Sequence, residues 1–308
     1  MRVKDQDRFD QLETKLSEYS RSHVHLRGIS RKAERQTFVR QLLDSIRRVE
    51  YVALIQQRDV AESRRDPASE MFDPIRASIL FSREGNLDEA FWMVFVYTHF
   101  SKNQNTNWLL GREVYGGLGA KNWNWAEIST NTKQFCSWLD RNQSKFSGKF
   151  GNHRKYESLK RSATHGTGAV VESYVEWIGP SRSHEILIQK AADESDGSPT
   201  GMFAWFMDDM KKVLRFGRLA RFDHLTMIAK LGLAEISPGS PFLKGATGPL
   251  SGAKLLFDGA SDSKARTNSE LDALVVELGN YLGVGMQEME DSICNWQKSP
   301  DSYELFKG

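Results

Sequence analysis

Apolar residues recur every three to four positions along much of the chain. In residues 31–58 they alternate with arginines at the spacing of an amphipathic helix. Asn86 is typical of a helix N-cap, Glu89 stands in the capping-box position, and residues 91–100 are almost continuously apolar. The pattern therefore predicts one amphipathic helix with a polar outer face and one helix at the centre of the core.

The remaining pattern is also helical. Residues 170–178 are apolar enough for a strand, but Glu172 and Glu176 at i,i+4 favour a helix. Further helices are predicted over residues 125–141, 153–163, from about Val213 onward, from Pro249 through Phe257, 271–282 and 286–298. We therefore predict an all-α fold.

The most polar and turn-prone stretch is Asp193–Pro199, which is the best candidate for a linker. It suggests three parts of the chain: an N-terminal helical region over 1–85, a helical subdomain over 86–192 and a C-terminal helical subdomain over 193–308. One continuous domain is the alternative, since 308 residues can form a single large core.

Composition narrows the classes of function. Cys136 and Cys294 are the only cysteines and lack CxxC spacing, so neither a disulfide framework nor a zinc or iron–sulfur site is expected. No apolar run begins the sequence or approaches the length of a bilayer, which predicts a cytoplasmic protein with no membrane partner. We predict no cofactor and no metal.

Positive charge is unevenly distributed although the net charge is only +2. Residues 133–161, the basic block, contain eight Lys/Arg and two acids. Such a block favours a polyanionic partner, and a solvated basic surface is the alternative.

One carboxylate lies on an apolar helix face. Phe216, Ala220, Met227 and Leu231 form a stripe at helical spacing, and Asp223 falls on it. Such an acid is paired, protonated or functional, because an unpaired buried charge is costly. A neighbouring arc carries cations that either meet phosphates or remain solvated: Arg215, Arg218, Arg221 and His224.

The glycine-rich stretch 244–252 matches neither a P-loop nor the GxGxxG dinucleotide fingerprint. Gly245 and Gly248 can still let the backbone approach a phosphate ahead of the helix that begins at Pro249. A plain tight turn is the alternative.

The last predicted helix pair resembles a helix-hairpin-helix, with residues 283–285 as the hairpin and Leu282 where that motif usually has proline. On the second helix Glu290 borders the buried stripe, whereas Asp291, Asn295 and Lys298 share another face. The residues on that face are either catalytic groups or part of an ordinary polar surface.

Taken in order, three blocks are specific together: 216–223, 245–249 and 290–298. Over about residues 203–308, and more loosely from Phe91, they make the chain resemble the α-glutamyl/putrescinyl thymine pyrophosphorylase-like proteins. The resemblance implies a helical DNA-glycosylase-like fold and anti-phage relatives that excise hypermodified bases, for example glucosylated hydroxymethyl-pyrimidines, from double-stranded phage DNA. It therefore implies a DNA N-glycosylase that leaves an abasic site.

The resemblance and the stripe pattern together give the candidate residues. The predicted catalytic residues are Asp223, Glu290, Asp291 and Lys298, where the lysine is the amine that a strand-nicking variant of the mechanism would need. The predicted DNA-binding residues are Arg154, Lys155, Arg215, Arg218, Arg221, Gly245 and Gly248. The predicted base pocket contains Phe222, Asn295 and Trp296.

Better-known helix-hairpin-helix glycosylases carry a catalytic acid after the hairpin, and this sequence has no such acid in the usual place. We therefore expect Asp223 or Glu290 to take that role. We also expect the two acids to converge on one cleft. Two other functions remain open: a pyrophosphorylase or transferase that builds hypermodified thymine, and a non-catalytic DNA-binding module.

Overall fold

The protein is all-helical. Its structure, a computed structural model, describes residues 3–160 and 165–306. Over these ranges it has no β-strand, only an isolated bridge between Asn103 and Asn107. The α-helices are α1 (Val3–Ser22), α2 (Lys32–Gln56), α3 (Pro74–Arg83), α4 (Leu87–Phe100), α5 (Leu109–Tyr115), α6 (Trp125–Thr130), α7 (Thr132–Asn142), α8 (Thr167–Ile178), α9 (His184–Glu194), α10 (Pro199–Asp209), α11 (Arg218–Lys230), α12 (Gly248–Asp258), α13 (Asn268–Leu282) and α14 (Met286–Trp296). The predicted all-α class is confirmed.

The chain forms two compact units, of which the first combines Met1–Val52 with Pro238–Gly308 and the second is Ala53–Ser237. The units divide the chain at other points than the three predicted parts, because helices from both ends of the sequence pack together. The turn-prone stretch Asp193–Pro199 connects α9 and α10 inside the second unit.

Most predicted helices occur where the pattern places them, with α2, α4, α8, α12, α13 and α14 all within the predicted stretches or close to them. None of the helices in the described ranges is long and apolar enough to cross a membrane.

Three helix predictions are wrong in detail. Residues 125–141 form two helices, α6 and α7, which meet at Asn131. The helix expected from Val213 begins only at Arg218, because Val213 and Phe216 close a turn first. The helix expected over 153–163 is absent from its described part, where a single 3₁₀ turn, Asn152–Arg154, is followed by irregular chain.

The first unit has its core between α1, α2 and the three last helices. Trp296 is fully buried there and packs edge-on against Phe38, with ring centroids 5.3 Å apart. Leu16, Leu256 and Leu278 are fully buried in the same core.

Close backbone packing joins α12 to α14 in the first unit. A Cβ atom on Gly252 would lie 2.2 Å from the carbonyl oxygen of Ile293, which is backbone and has little freedom to move. Replacing Gly252 by alanine should therefore lower the free energy of unfolding by about 1–3 kcal/mol. Urea denaturation followed by circular dichroism measures this, and Ser251→Ala, on the same helix, is the matched control. Equal stability of the two variants would contradict the close packing.

The second unit is built around α4, whose residues are almost all buried. Asn86 caps this helix as predicted, since its side chain accepts a hydrogen bond from the Glu89 backbone N–H at 3.3 Å. The Glu89 carboxylate does not complete the capping box. It turns into the interior, where it accepts hydrogen bonds from the Tyr115 hydroxyl at 2.8 Å and the Trp125 backbone N–H at 2.6 Å. Burial raises the pKa of Glu89 to about 7.

Candidate functional site

Asp223 is a partly buried acid of the second unit that lies among cations. It lies on α11 between the buried residues Phe222 and His224, on the same side as the buried Ala220 and Met227, and is itself half-buried. Within the described ranges no group donates a hydrogen bond to its carboxylate or forms an ion pair with it. Because leaving a desolvated carboxylate unpaired is costly, this position favours a functional role.

Burial raises the pKa of the Asp223 carboxyl above its ordinary value. Nearby positive charges lower this pKa by a smaller amount than burial raises it. The largest of these contributions come from Arg154 and His153. Lys230 and Arg218 add smaller contributions in the same direction. A carboxylate in this state is a better proton acceptor than an exposed one, yet it remains surrounded by cations that can attract phosphate.

Arg154 is the first of these cations and is held firmly. It ends the 3₁₀ turn Asn152–Arg154, and its side chain points inward, where Nε donates to the carbonyl oxygen of Thr98 at 2.9 Å. Its guanidinium lies 5.6 Å from the centre of the Phe216 ring. Burial lowers the pKa of Arg154, with Asp223 acting against that effect. The turn thus holds a fixed, largely desolvated positive charge near the Asp223 carboxylate.

Helix α4 contributes a second group near the acid. Tyr97 is half-buried, and its ring centroid lies 5.7 Å from that of Trp108. Burial and then the charge of Asp223 raise the pKa of the Tyr97 hydroxyl. The neighbouring residue Thr98 joins the two helices, because its Oγ1 lies 3.2 Å from His224 Nδ1. Tyr97 was not among the predicted site residues.

The predicted cationic arc on α11 contains arginines but no charged histidine. His224 is fully buried, and burial lowers its pKa to about 3. Its Nε2 atom has no hydrogen-bond partner among the described residues. Neither alternative for His224, a phosphate contact or a solvated cation, fits its position, since the ring is neutral and enclosed.

The arginines of the arc differ in exposure. Arg218 is buried with its guanidinium 4.5 Å from the centre of the Phe222 ring, and Phe222 itself is only 2% exposed. Arg221 is half-buried, and burial lowers its pKa. Arg215 is exposed at the turn before the helix, where its Nε donates to the Glu157 carboxylate at 3.1 Å. These positions suit Arg215 best for contact with a polyanion, whereas a base pocket at Phe222 is closed in this structure.

The basic block lies in the second unit and is mostly exposed. Arg161 lies outside the described residues, and Arg154 is buried. The exposed members are Lys133, Arg141, Lys145, Lys149, Lys155 and Lys160.

Asp291 and Lys298, two of the other predicted catalytic residues, belong to the first unit and are connected through Asn295 in a polar chain. Asp291 accepts hydrogen bonds from Arg48 Nε at 2.9 Å on one oxygen and from Asn295 Nδ2 at 2.9 Å on the other. Asn295 in turn accepts from Lys298 Nζ at 2.9 Å, and that ammonium lies 4.7 Å from the centre of the Phe306 ring. Each polar group has a partner, so this chain fits a structural role.

Three further predicted residues are explained by packing in the first unit. Trp296 is fully buried, so a stacking role on a DNA base does not fit its position. Gly248 packs against α14, since a Cβ there would lie 2.7 Å from Cys294 Sγ. Gly245 has φ +81°, the left-handed conformation in which glycine is favoured.

Glu290 is 7% exposed in the first unit, and Asp223 lies in the second. The expected convergence of the two acids stays a prediction. The structure groups Asp223 with Arg154, Arg215 and Arg218 in one unit. No group of three or more His, Cys, Asp or Glu side chains in the described ranges is arranged as a set of metal ligands.

The fold and the site together define this chain as an all-helical protein with a desolvated acid surrounded by cations. The chain belongs to the alpha-glutamyl/putrescinyl thymine pyrophosphorylase clade 3 family, whose sequence model matches residues 33–308. This confirms the resemblance found in the sequence. Comparisons with curated proteins and with solved structures find no match.

Proposed function

We propose that this protein is a DNA N-glycosylase that removes a hypermodified base, with Asp223 as its catalytic carboxylate. The observation that carries the proposal is the half-buried carboxylate, which has no partner among the described residues, has a raised pKa and lies close enough to the buried Arg154 for their charges to interact. The family's link to hypermodified thymine supports a modified pyrimidine in DNA as the substrate class.

The chemistry follows from the acid. After the nucleotide has left the stack, at a cost of a few kcal/mol, the bond between the sugar C1′ and the base nitrogen breaks and the electron pair leaves with the base. The sugar then carries oxocarbenium character, which the Asp223 carboxylate offsets. Water bonds to C1′ and gives a proton to Asp223, which then passes this proton to the departing base and is ionised again. The products are a free base and an abasic site.

The cations serve binding in this scheme. Arg215 and the exposed lysines of the basic block would hold phosphates, which positions the duplex without reading its sequence. Arg154 would keep the acid oriented and partly ionised. The biological role that fits is anti-phage defence in the cytoplasm, with phage DNA as the partner.

The direct test is to incubate the purified protein with unmodified DNA and with phage DNA that carries glucosylated or otherwise hypermodified pyrimidines. An aldehyde-reactive probe counts abasic sites, and mass spectrometry identifies the released base. We expect abasic sites only in the hypermodified DNA. The absence of released base from every modified DNA tested would overturn the proposal.

A second function is favoured by the family's description, which names a pyrophosphorylase of hypermodified thymine. Such an enzyme would use the same acid and arginines around a phosphate-activated base, usually with a divalent cation. Its action would release or take up pyrophosphate and leave the glycosidic bond intact.

The reaction products distinguish the glycosylase from the pyrophosphorylase. Addition of EDTA and measurement of pyrophosphate, in parallel with the abasic-site count, give distinct results. Base release that persists in EDTA without pyrophosphate supports the glycosylase, whereas Mg²⁺-dependent pyrophosphate exchange without abasic sites supports the second function.

A further inference from the structure

Tyr156 is an aromatic side chain that lies mostly in solvent. It is 81% exposed, more than any other large hydrophobic side chain in the described ranges. Lys155 Nζ lies 5.1 Å from the centre of its ring. The ring therefore offers its flat face to solvent with an ammonium group beside it.

The backbone that carries Tyr156 is held in place. Its carbonyl oxygen accepts from Arg215 at 3.4 Å, and the next residue, Glu157, accepts from the same guanidinium at 3.1 Å. The Glu157 side chain is only 6% exposed, and its backbone N–H donates to the Arg154 carbonyl oxygen at 2.9 Å. Arg215 itself has φ +61°, a conformation that non-glycine residues rarely adopt. The ring therefore projects from a fixed base.

The same short segment reaches the candidate acid. It carries Arg154 and His153, two and three residues before Tyr156, whose positive charges act most strongly on Asp223. Tyr156 thus stands at the edge of the site, and the cationic residues around it complement a phosphate backbone.

We propose that Tyr156 stacks on a DNA base beside the nucleotide on which Asp223 acts, and so fills the gap that the displaced nucleotide leaves. The inference rests on the proposed action on DNA. A base is the occupant that fits, because every base offers a flat face for an aromatic ring while the neighbouring Lys155 and Arg215 suit the phosphates that flank it.

The test is DNA binding, measured by fluorescence anisotropy with two 20-base-pair probes, an unmodified duplex and the same duplex with a central abasic-site analogue. Tyr156→Ala should weaken binding to the gapped probe about 5- to 100-fold, the range expected for loss of one stacked base. Tyr156→Phe should bind like the unmodified protein, because the ring face is retained. The loss should be smaller on the intact duplex, where no gap receives the ring.

Two controls isolate stacking from charge. Tyr51→Ala removes another exposed tyrosine, in the first unit, and should leave the dissociation constant unchanged. Lys155→Ala should reduce the dependence of binding on salt, whereas Tyr156→Ala should leave that slope as it was.

The inference is overturned if Tyr156→Ala binds the gapped probe normally or if Tyr156→Phe is as weak as Tyr156→Ala. These outcomes are distinct from failure of the proposed function. If the protein binds the gapped probe through Tyr156 but releases no base, only the glycosylase proposal is contradicted. If the enzyme is active and Tyr156→Ala binds the gapped probe normally, only the inference about Tyr156 is contradicted.

Discussion

Replacement of Asp223 by asparagine should reduce base release from hypermodified DNA by about 10²–10⁴-fold, the range typical of a lost acid–base group. Asparagine preserves shape but neither accepts the proton of the attacking water nor offsets charge on the sugar. Binding to DNA should be unchanged, because the cations remain. Single-turnover release of the base and the dissociation constant for the duplex measure the two effects separately.

The other two acids provide matched comparisons. Asp291→Asn should keep the rate of base release, since Asp291 is already bound to Arg48 and Asn295 in the first unit. Glu290→Gln tests the remaining candidate in the same way. If Asp223→Asn kept full activity while either of the other variants lost it, the catalytic acid would have been assigned to the wrong unit.

The same substitution should stabilise the fold. The pKa of Asp223 is raised, so the ionised form is less favourable in the folded protein than in the unfolded chain. Removal of that charge should therefore raise the melting temperature of the second unit. Differential scanning calorimetry near pH 8 measures this without any substrate, and a lower melting temperature would mean that the cations hold Asp223 mainly as a structural partner.

Asp223 should also set the acid limb of the pH dependence of base release. Only the ionised carboxylate accepts a proton from water, and its pKa is raised. Base release should therefore be full above that pKa and fall tenfold per pH unit below it.

The second large effect concerns Glu89. Its pKa of about 7 exceeds the ordinary 4.5, so the folded protein binds this proton more tightly than the unfolded chain does. The contribution of Glu89 to the free energy of unfolding therefore decreases as pH rises from about 4.5 to 7 and is level above. The full cost of the ionised form is about 3 kcal/mol.

Glu89→Gln should remove this cost. Its amide oxygen can accept from the Trp125 N–H, and its amide nitrogen can donate to the Tyr115 oxygen, so the local bonds persist without charge. We expect the free energy of unfolding to increase by up to about 3 kcal/mol at pH 8.5 and by under about 1 kcal/mol at pH 5. Urea titrations at the two pH values give the difference.

Glu127→Gln is the control, because Glu127 is only partly buried and pairs with Lys121 at 2.5 Å in the same unit. It should show no gain at either pH. A gain for Glu89→Gln that is equal at both pH values would contradict the raised pKa and indicate a packing effect instead.

Local signals in the sequence predict much of the helical structure. Glycine at 283, with φ +72°, ends α13 and allows the turn into α14, and both helices lie where the spacing places them. The position of Asp223 on a buried stripe is likewise visible from spacing alone, because one helix determines which residues share a face.

Partners that are distant in the sequence give no such signal. Asp291 looks available for chemistry until Arg48, 243 residues earlier, is found bound to it. Glu89 stands where a capping box would use it, but Tyr115 and Trp125, 26 and 36 residues later, draw the carboxylate inward. Periodicity specifies which side of a helix is buried, whereas tertiary contacts decide which polar groups are satisfied there.

The division of the first unit between the two ends of the sequence has a consequence for synthesis on the ribosome. All of Ala53–Ser237 emerges before Pro238 does, so the unit with Asp223 can fold while translation continues. Helix α1 and most of α2 must wait with their apolar faces uncovered until α12, α13 and α14 arrive. Nascent chains of which residues 1–247 have left the ribosome should therefore protect the second unit from protease while the amino-terminal helices are still cut.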